Sequence, residues 1–384
     1  MKYFLIAGEA SGDIHASHLI TALRQQDAEA EFQFFGGDKM EAAAGGGLLN
    51  HYSTLAYMGF IQVALHSRTI LRGLDACKAA IAAWQPDCVI LIDYPGFNLK
   101  VAKWIKEKWN ANLGAAPKVY YYISPKVWAW KEGRVKSIRR YVDRLFSILP
   151  FEPDFYSQKH GYEVTYVGNP TYDEVAAYIG KRREDINDVK TFGQSSPWRD
   201  RSVALMPGSR LQEIRANLPI MMKALPEKTR VSIIAAPGVN DDIYRQLAPS
   251  ATVAYGNPYD TLRFCRAALV TSGTATLEAA LLDVPQVVCY NTRPRHIIAW
   301  LRPHFLKCRF ISLVNLIADA EVVPELVAAQ MTPESVRTHL EAILEGPARD
   351  AQLEGYATVR QRIAQTGAPQ KAASEIVSLL KARQ

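Results

Sequence analysis

Residue type and spacing say most about chemistry in the stretch Val270-Thr271-Ser272-Gly273-Thr274-Ala275-Thr276-Leu277-Glu278. An apolar run ends, a Ser-Gly-Thr turn follows, and small residues open a helix. Unpaired N–H groups at a helix N-terminus, joined by two hydroxyls, suit a phosphate or diphosphate. Glu278 lies one helical turn after Thr274 on the same face, so it could reach ribose hydroxyls while Thr274 reaches phosphate. Val203-Ala204-Leu205-Met206-Pro207-Gly208-Ser209-Arg210 has the same outline, a strand running into a Pro-Gly-Ser turn. An arginine beside backbone N–H groups is a good phosphate clamp. The competing reading pairs Arg210 with Glu213. No Asp-x-Asp triplet occurs in the chain to hold a divalent metal on a diphosphate. The N–H groups and Arg210 are therefore expected to carry that charge, and neither a metal nor a cofactor is expected.

The N-terminal half offers different chemistry. Leu91-Ile92-Asp93-Tyr94-Pro95-Gly96-Phe97-Asn98 puts a carboxylate where a buried strand meets a Pro-Gly turn. There Asp93 can serve as a general base, or it can bond its own following backbone as a turn residue. Gly8-Glu9-Ala10-Ser11-Gly12-Asp13 follows the first strand and opens a helix. It is either an anion site or a cap with Ser11 or Asp13 at its head. It matches neither a GxGxxG dinucleotide turn nor a P-loop. Ser124-Pro125-Lys126-Val127-Trp128-Ala129-Trp130-Lys131 leads into further cations at Arg134, Lys136, Arg139, Arg140 and Arg144. Such a stretch suits nucleic acid or a phosphate-bearing lipid headgroup, or is a solvated basic helix packing its tryptophans. Tyr57–Leu65, with His66 and Arg68 beyond, is either a core element or a segment dipping into a membrane interface.

The elements that must position these residues alternate strand and helix. Apolar runs at Tyr3–Ala7, Phe32–Phe35, Cys88–Ile92 and Val119–Ile123 read as buried parallel strands, with helices through Leu23 and over residues 66–84. Residues 181–202 are charged and turn-rich and read as a surface insertion or linker. The rhythm restarts at Val203–Met206, Val231–Ala235, Thr252–Tyr255, Ala268–Val270 and Gln286–Cys289, and residues 333–384 are helical by pattern. The fold class expected is α/β, with two Rossmann-like doubly wound lobes and a cleft between them. The divisions expected are residues 1–175, 176–345 and a helical tail at 346–384. The length of 384 residues favours two domains, and the formal charge of +7 favours an anionic partner. The five cysteines lack CxxC spacing, which argues against a zinc site or a disulfide framework and fits a reducing cytoplasm. The N-terminal apolar run is short and meets Glu9 and Asp13 at once, as a first strand rather than a signal peptide would.

The motifs GEASGD at 8–13, MGF at 58–60, IDYPGFN at 92–98, ISPKVWAW at 123–130, LPFE at 149–152, MPGSR at 206–210, SGTATLE at 272–278 and SLVNLI at 312–317 occur in that order. Together they resemble the lipid-A-disaccharide synthase family of GT-B glycosyltransferases. The resemblance implies transfer of a sugar from UDP-2,3-diacylglucosamine to the 6-hydroxyl of 2,3-diacylglucosamine 1-phosphate (lipid X). The product is a β-1,6 disaccharide, formed with inversion. It implies Asp93 as base and Gly208, Ser209, Arg210, Ser272, Gly273, Thr274, Glu278 and Asn315 as UDP-binding residues. Gly8, Ser11, Gly12, Asp13, Ser124 and Trp128 fall on the acceptor side of the cleft. Phe60, Ile61, Val63 and Leu65 become the membrane contact, at the cytoplasmic leaflet of the inner membrane. A homodimer exchanging C-terminal segments is implied, and nucleic acid is not. The chain departs from the family at Gly96, where many members carry an acid, and at Tyr94, which is bulkier than usual. Two other readings compete: an enzyme like UDP-GlcNAc 2-epimerase, and a non-catalytic lipid- or nucleotide-binding protein.

Overall fold

Tyr3–Ala7 and Cys88–Ile92 contain no charged residue, and in the structure, a computed structural model, both become central strands. The structure describes residues 1–54, 67–184, 202–271, 273–291 and 308–382. The chain divides into two compact units, Met1–Pro170 with Gln365–Gln384, and Thr171–Ala364.

The first unit runs β1 (Lys2–Ala7), α1 (Ala10–Gln26), β2 (Glu31–Gly36), α2 (Asp38–Ala44), β3 (Leu48–His51), α3 (Ser67–Trp84), β4 (Cys88–Ile92), α4 (Pro95–Lys108), β5 (Lys118–Tyr122), α5 (Arg134–Tyr141), β6 (Arg144–Ser147), α6 (Glu152–His160) and β7 (Thr165–Tyr166). The helix α7 (Pro170–Glu184) opens the second unit, followed by β8 (Ser202–Met206), α8 (Leu211–Ala224), β9 (Arg230–Ile234), α9 (Asp241–Leu247), β10 (Thr252–Ala254), α10 (Pro258–Leu262), β11 (Ala267–Val270), α11 (Thr274–Leu281), β12 (Gln286–Tyr290), α12 (Leu313–Ala318), β13 (Glu325–Val327), α13 (Pro333–Leu344) and α14 (Pro347–Ile363). The last helix, α15 (Ala368–Lys381), belongs to the first unit and packs on α1. The stretch expected as one tail at 346–384 is thus split, α14 with one unit and α15 with the other. The division near Pro170 falls a few residues before the expected 175.

The sheets have the orders β3-β2-β1-β4-β5-β6-β7 and β10-β9-β8-β11-β12-β13, all parallel. Both are the doubly wound order of nucleotide-binding α/β folds. Alternate β1 residues face opposite sides of the sheet. Tyr3, Leu5 and Ala7 meet α1 and α15 through Leu19, Leu23, Ile376 and Leu380. Phe4 and Ile6 meet α4 through Phe97, Val101 and Ile105. Burying such a side chain contributes roughly 1.5–3 kcal/mol, which is why both faces of these strands are apolar. In the second unit α8 and α13 cover one face through Ile214, Leu218, Val336 and Leu340. Ala279 of α11 and Leu262 of α10 lie on the other.

Most expected strands form within a residue of their apolar runs. The run at Val119–Ile123 ends as a strand at Tyr122, because Ile123 turns into the left-handed region at φ 67°. Four strands have no expectation behind them: β3, β6, β7 and β13. They are short and mixed in character. The 185–201 part of the expected linker lies outside the described residues.

Candidate functional site

Each sheet reverses its winding between two neighbouring strands, β1 and β4 in the first unit, β8 and β11 in the second. Loops at the carboxyl ends of such strands diverge and leave a crevice for ligands. Both pairs carry expected residues. GEASGD follows β1 and Asp93 follows β4; Gly208–Arg210 follow β8 and Gly273–Thr274 follow β11.

In the first unit the chain leaves β4 through two consecutive left-handed residues, Asp93 at φ 40° and Tyr94 at φ 45°. Non-glycine residues there cost of order 1–3 kcal/mol each and persist only when their surroundings hold them. Two buried side chains do so. Asn98 Nδ2, at the start of α4, donates to the Asp93 carbonyl (2.8 Å), the Ile92 carbonyl (3.2 Å) and the Ile6 carbonyl of β1 (3.5 Å). The Tyr121 hydroxyl donates to the same Asp93 carbonyl. The Asp93 carboxylate accepts from the Tyr94 N–H, which is the local turn interaction. Burial raises the Asp93 carboxyl above its ordinary range, and the charges of Lys126, His15 and Arg134 pull it partly back. A carboxylate raised in this way is a stronger base in its ionised form.

The other first-unit residues divide by role. Gly8 is required sterically, since a Cβ there would lie 2.3 Å from the Tyr94 ring. The space beside this glycine is filled by the protein's own side chain. Asp13 is buried and accepts from the N–H groups of Gly37 (2.8 Å), Lys39 (3.1 Å) and Met40 (3.1 Å). It therefore caps α2, not its own helix, whose N-cap Glu9 makes no side-chain cap bond. Gly12 is buried against Ala7 and Ile92, and Ser11 is exposed. Ser124 and Trp128 turn inward. Ser124 Oγ lies 2.9 Å from the Tyr156 hydroxyl, and Trp128 Nε1 donates to Glu152 Oε1 at 3.1 Å. Glu152 is fully buried and its carboxyl is pushed up to about 7 by burial, against hydrogen bonds from Trp128 and the Leu149 N–H. The strand-end loop is thus anchored from beneath. LPFE carried the signal for Glu152 without revealing its task.

In the second unit Gly208, at φ 128°, allows Glu213 to fold back under the turn, where a Cβ would meet its Cβ at 2.6 Å. Glu213 then accepts from the Ser209 N–H (3.1 Å) and pairs with Arg210 (3.2 Å). The arginine remains half-exposed. The pairing read as the bland alternative is present, and it holds the guanidinium at the strand end. Asn217 of α8 is fully buried. Its Nδ2 donates to the Pro207 carbonyl (2.9 Å) and Thr271 Oγ1 (3.0 Å), and its Oδ1 accepts from the Asn291 N–H (2.9 Å). Three strand ends are tied by one side chain. Gly273 sits at φ 121° as N-cap of α11, with no side-chain cap bond and open space where a Cβ would be. Thr276 Oγ1 bonds the Gly273 carbonyl. Thr274 is half-buried beside it at the first turn. Glu278 accepts from the Tyr259 hydroxyl at 3.2 Å.

Asn315 lies on α12, which packs against α11. It is fully buried, and its Nδ2 donates to the Val323 carbonyl and Glu325 Oε1 while its Oδ1 accepts from the Val322 and Val323 N–H groups. Its side chain is spent on holding α12 to β13. Ser272, Phe60, Ile61, Val63 and Leu65 lie outside the described residues.

A family model described as lipid-A-disaccharide synthetase matches residues 3–377. The chain is 36% identical over 390 residues to a lipid-A-disaccharide synthase of Myxococcus xanthus (strain DK1622), covering 99% of this chain and 97% of that one. It is 34% identical to the lipid-A-disaccharide synthase of Geobacter metallireducens over 99% of this chain and 97% of the relative. The chain belongs to the lipid-A-disaccharide synthetase family. As a member of that family it is an enzyme, a glycosyltransferase. Among solved structures it is similar to the UDP-GlcNAc 2-epimerase of Neisseria meningitidis bound to UDP-GlcNAc, with a TM-score of 0.63, 12% identity and full coverage of both chains. It is also similar to the calicheamicin glycosyltransferase, with a TM-score of 0.58 and 15% identity over 99% of this chain and 98% of that one. At those identities the likeness is one of fold: two Rossmann-like units of GT-B type.

Proposed function

We propose that this enzyme of lipid A biosynthesis joins UDP-2,3-diacylglucosamine to 2,3-diacylglucosamine 1-phosphate, giving the β-1,6 disaccharide 1-phosphate and UDP. The observation that carries the reading is the family match over residues 3–377, with Asp93 in a braced, left-handed strand end inside it. The second unit takes the nucleotide at the turns after β8 and β11, and the first takes the acceptor. Asp93 removes the proton from the acceptor's 6-hydroxyl as that oxygen attacks the anomeric carbon. The bond to the diphosphate breaks on the opposite face, which inverts an α-linked donor to a β product. Arg210, the N–H groups at Gly273 and Thr274, and the Ser209 and Ser272 hydroxyls meet the charge that develops on the departing UDP. Glu278 takes the ribose. Asn315 supports the pocket from behind.

The epimerase reading is weaker, because its support is a likeness of fold at 12% identity, against family membership over the whole chain. No helix among the described residues is long and apolar enough to cross a membrane. A peripheral seat at the cytoplasmic leaflet, made by Phe60, Ile61, Val63 and Leu65, is consistent with the exposed Leu49 and Leu71 nearby in sequence. For the dimer, α15 is the segment that would exchange, since it packs on α1 as a separate last helix. Incubation with both substrates and mass detection of the disaccharide tests the activity. UDP-GlcNAc converted to its 2-epimer, with no disaccharide formed, would sink the transferase reading.

A further inference from the structure

The loop between β5 and α5 carries Lys126 and Lys131 and leads into Arg134 at the start of α5, and the reaction as written uses none of them. β4 and β5 are parallel neighbours with Ile92 opposite Tyr122, so this loop starts beside Asp93, and Lys126 and Arg134 both act on the Asp93 charge. Trp130 is exposed, with Lys131 Nζ 4.4 Å and the Arg134 guanidinium carbon 5.8 Å from its ring centroid. Glu132, the acid within this run, is turned to Lys159 (2.8 Å) and His160 (3.1 Å). Neither Lys126 nor Arg134 makes an ion pair with a carboxylate within 4.0 Å among the described residues. The loop does not yield freely, since Val127 and Trp128 are buried and Trp128 is bonded to Glu152. A fixed excess of positive charge next to a base weakens that base. A dianion bound over the cations would remove the penalty at the moment the acceptor arrives.

We propose that Lys126 and Arg134, backed by Trp130, form the subsite for a phosphomonoester on the acceptor sugar. The inference rests on the transferase reading, in which the acceptor carries a phosphate one pyranose ring from its attacking hydroxyl. The subsite selects phosphorylated over unphosphorylated acceptor and holds the hydroxyl toward Asp93. Arginine and lysine suit this task because charge-assisted bonds to phosphate are strong and, for arginine, two-pronged.

The test compares 2,3-diacylglucosamine with and without its 1-phosphate, each presented in neutral detergent micelles, by turnover and separately by equilibrium binding. Wild type should favour the phosphorylated acceptor. Lys126→Gln and Arg134→Ala should each weaken its binding by roughly 10- to 100-fold, leave binding of the unphosphorylated acceptor nearly unaffected, and leave the KM for UDP-sugar unchanged. Lys126 is exposed, so its variant keeps the fold, and a matching melting curve verifies this. Discrimination that survives in both variants overturns the subsite. So does a loss confined to binding of anionic phosphatidylglycerol vesicles, which would make the patch a headgroup contact instead. Phosphate-selective binding that both variants abolish, without disaccharide formation by wild type, would support the subsite while the transferase reading fails.

Discussion

The two units reverse their sheets in the same way, and each has a buried asparagine reaching across the seam. Asn98 ties the ends of β1 and β4. Asn217 ties the ends of β8, β11 and β12. Beyond that the seams differ. At the first, the glycine of the turn is packed by the Tyr94 ring, and strain is loaded into Asp93 and Tyr94. At the second, Gly273 faces open space, and the charge offered is an arginine held by its own helix. The same topology thus yields a braced carboxylate in one place and an open anion turn in the other. A scaffold decides where chemistry can sit, and a handful of side chains decide which chemistry it is.

Asp93→Ala cuts deepest into this contrast. It should lower turnover by about 100-fold or more with UDP affinity retained, as expected for loss of a general base. Near-normal turnover would leave the first seam without a catalytic role. Arg210→Ala is the mirror experiment. Loss of a charged hydrogen-bonding group should weaken UDP binding by about 10-fold or more and lower turnover with it; calorimetric titration with UDP showing unchanged affinity would contradict the clamp.

The two asparagines come next. Replacing either by alanine strands buried carbonyls and should cost about 1–3 kcal/mol in denaturant unfolding. Asn98→Ala should in addition reduce kcat, and Asn217→Ala should reduce UDP affinity. If each variant disturbed both properties equally, the division of labour between units would fall. The glycines offer a finer contrast. Gly8→Ala collides with Tyr94 and should destabilise by about 1–3 kcal/mol, and trimming Tyr94 to alanine in the same chain should recover most of that. Gly273→Ala is disfavoured by its φ of 121° instead, so no second substitution of a neighbouring side chain should rescue it.

The smallest effect is the position of a pH limb. A base must be ionised to act, so kcat should fall as pH falls through the Asp93 value, which burial has raised. Lys126 is the largest opposing influence, and Lys126→Gln should move that limb to higher pH. A limb that stays in place or moves down would separate it from Asp93.

Much of the fold was legible in the chain. Continuous apolar runs such as Cys88–Ile92 can only be satisfied between two helical layers, so they announce a parallel sheet. The short edge strands were not legible, because Leu48–His51 and Thr165–Tyr166 have little apolar character of their own and form beside a partner already in place. The turns after strands could be found by their glycines and prolines. The tasks of single residues could not. Asp13 looked like a cap for its own helix and caps α2. Ser124 and Trp128 were placed on the acceptor side by resemblance, and their polar atoms are engaged with Tyr156 and Glu152. Asn315 was placed with UDP by resemblance and is fully engaged between α12 and β13.

The sequence by itself determined that this is a chain of two doubly wound units, that Asp93 and the Ser272–Glu278 turn stand at strand ends, and that the whole resembles one family. Periodicity and turn chemistry are local, so they can be read in order along the chain. Only the tertiary structure decided which buried asparagine braces which seam, that Tyr94 occupies the space beside Gly8, and that the last helix is built into the first unit. Those outcomes depend on residues far apart in sequence meeting at one place, where hydrogen-bond satisfaction and packing are settled together.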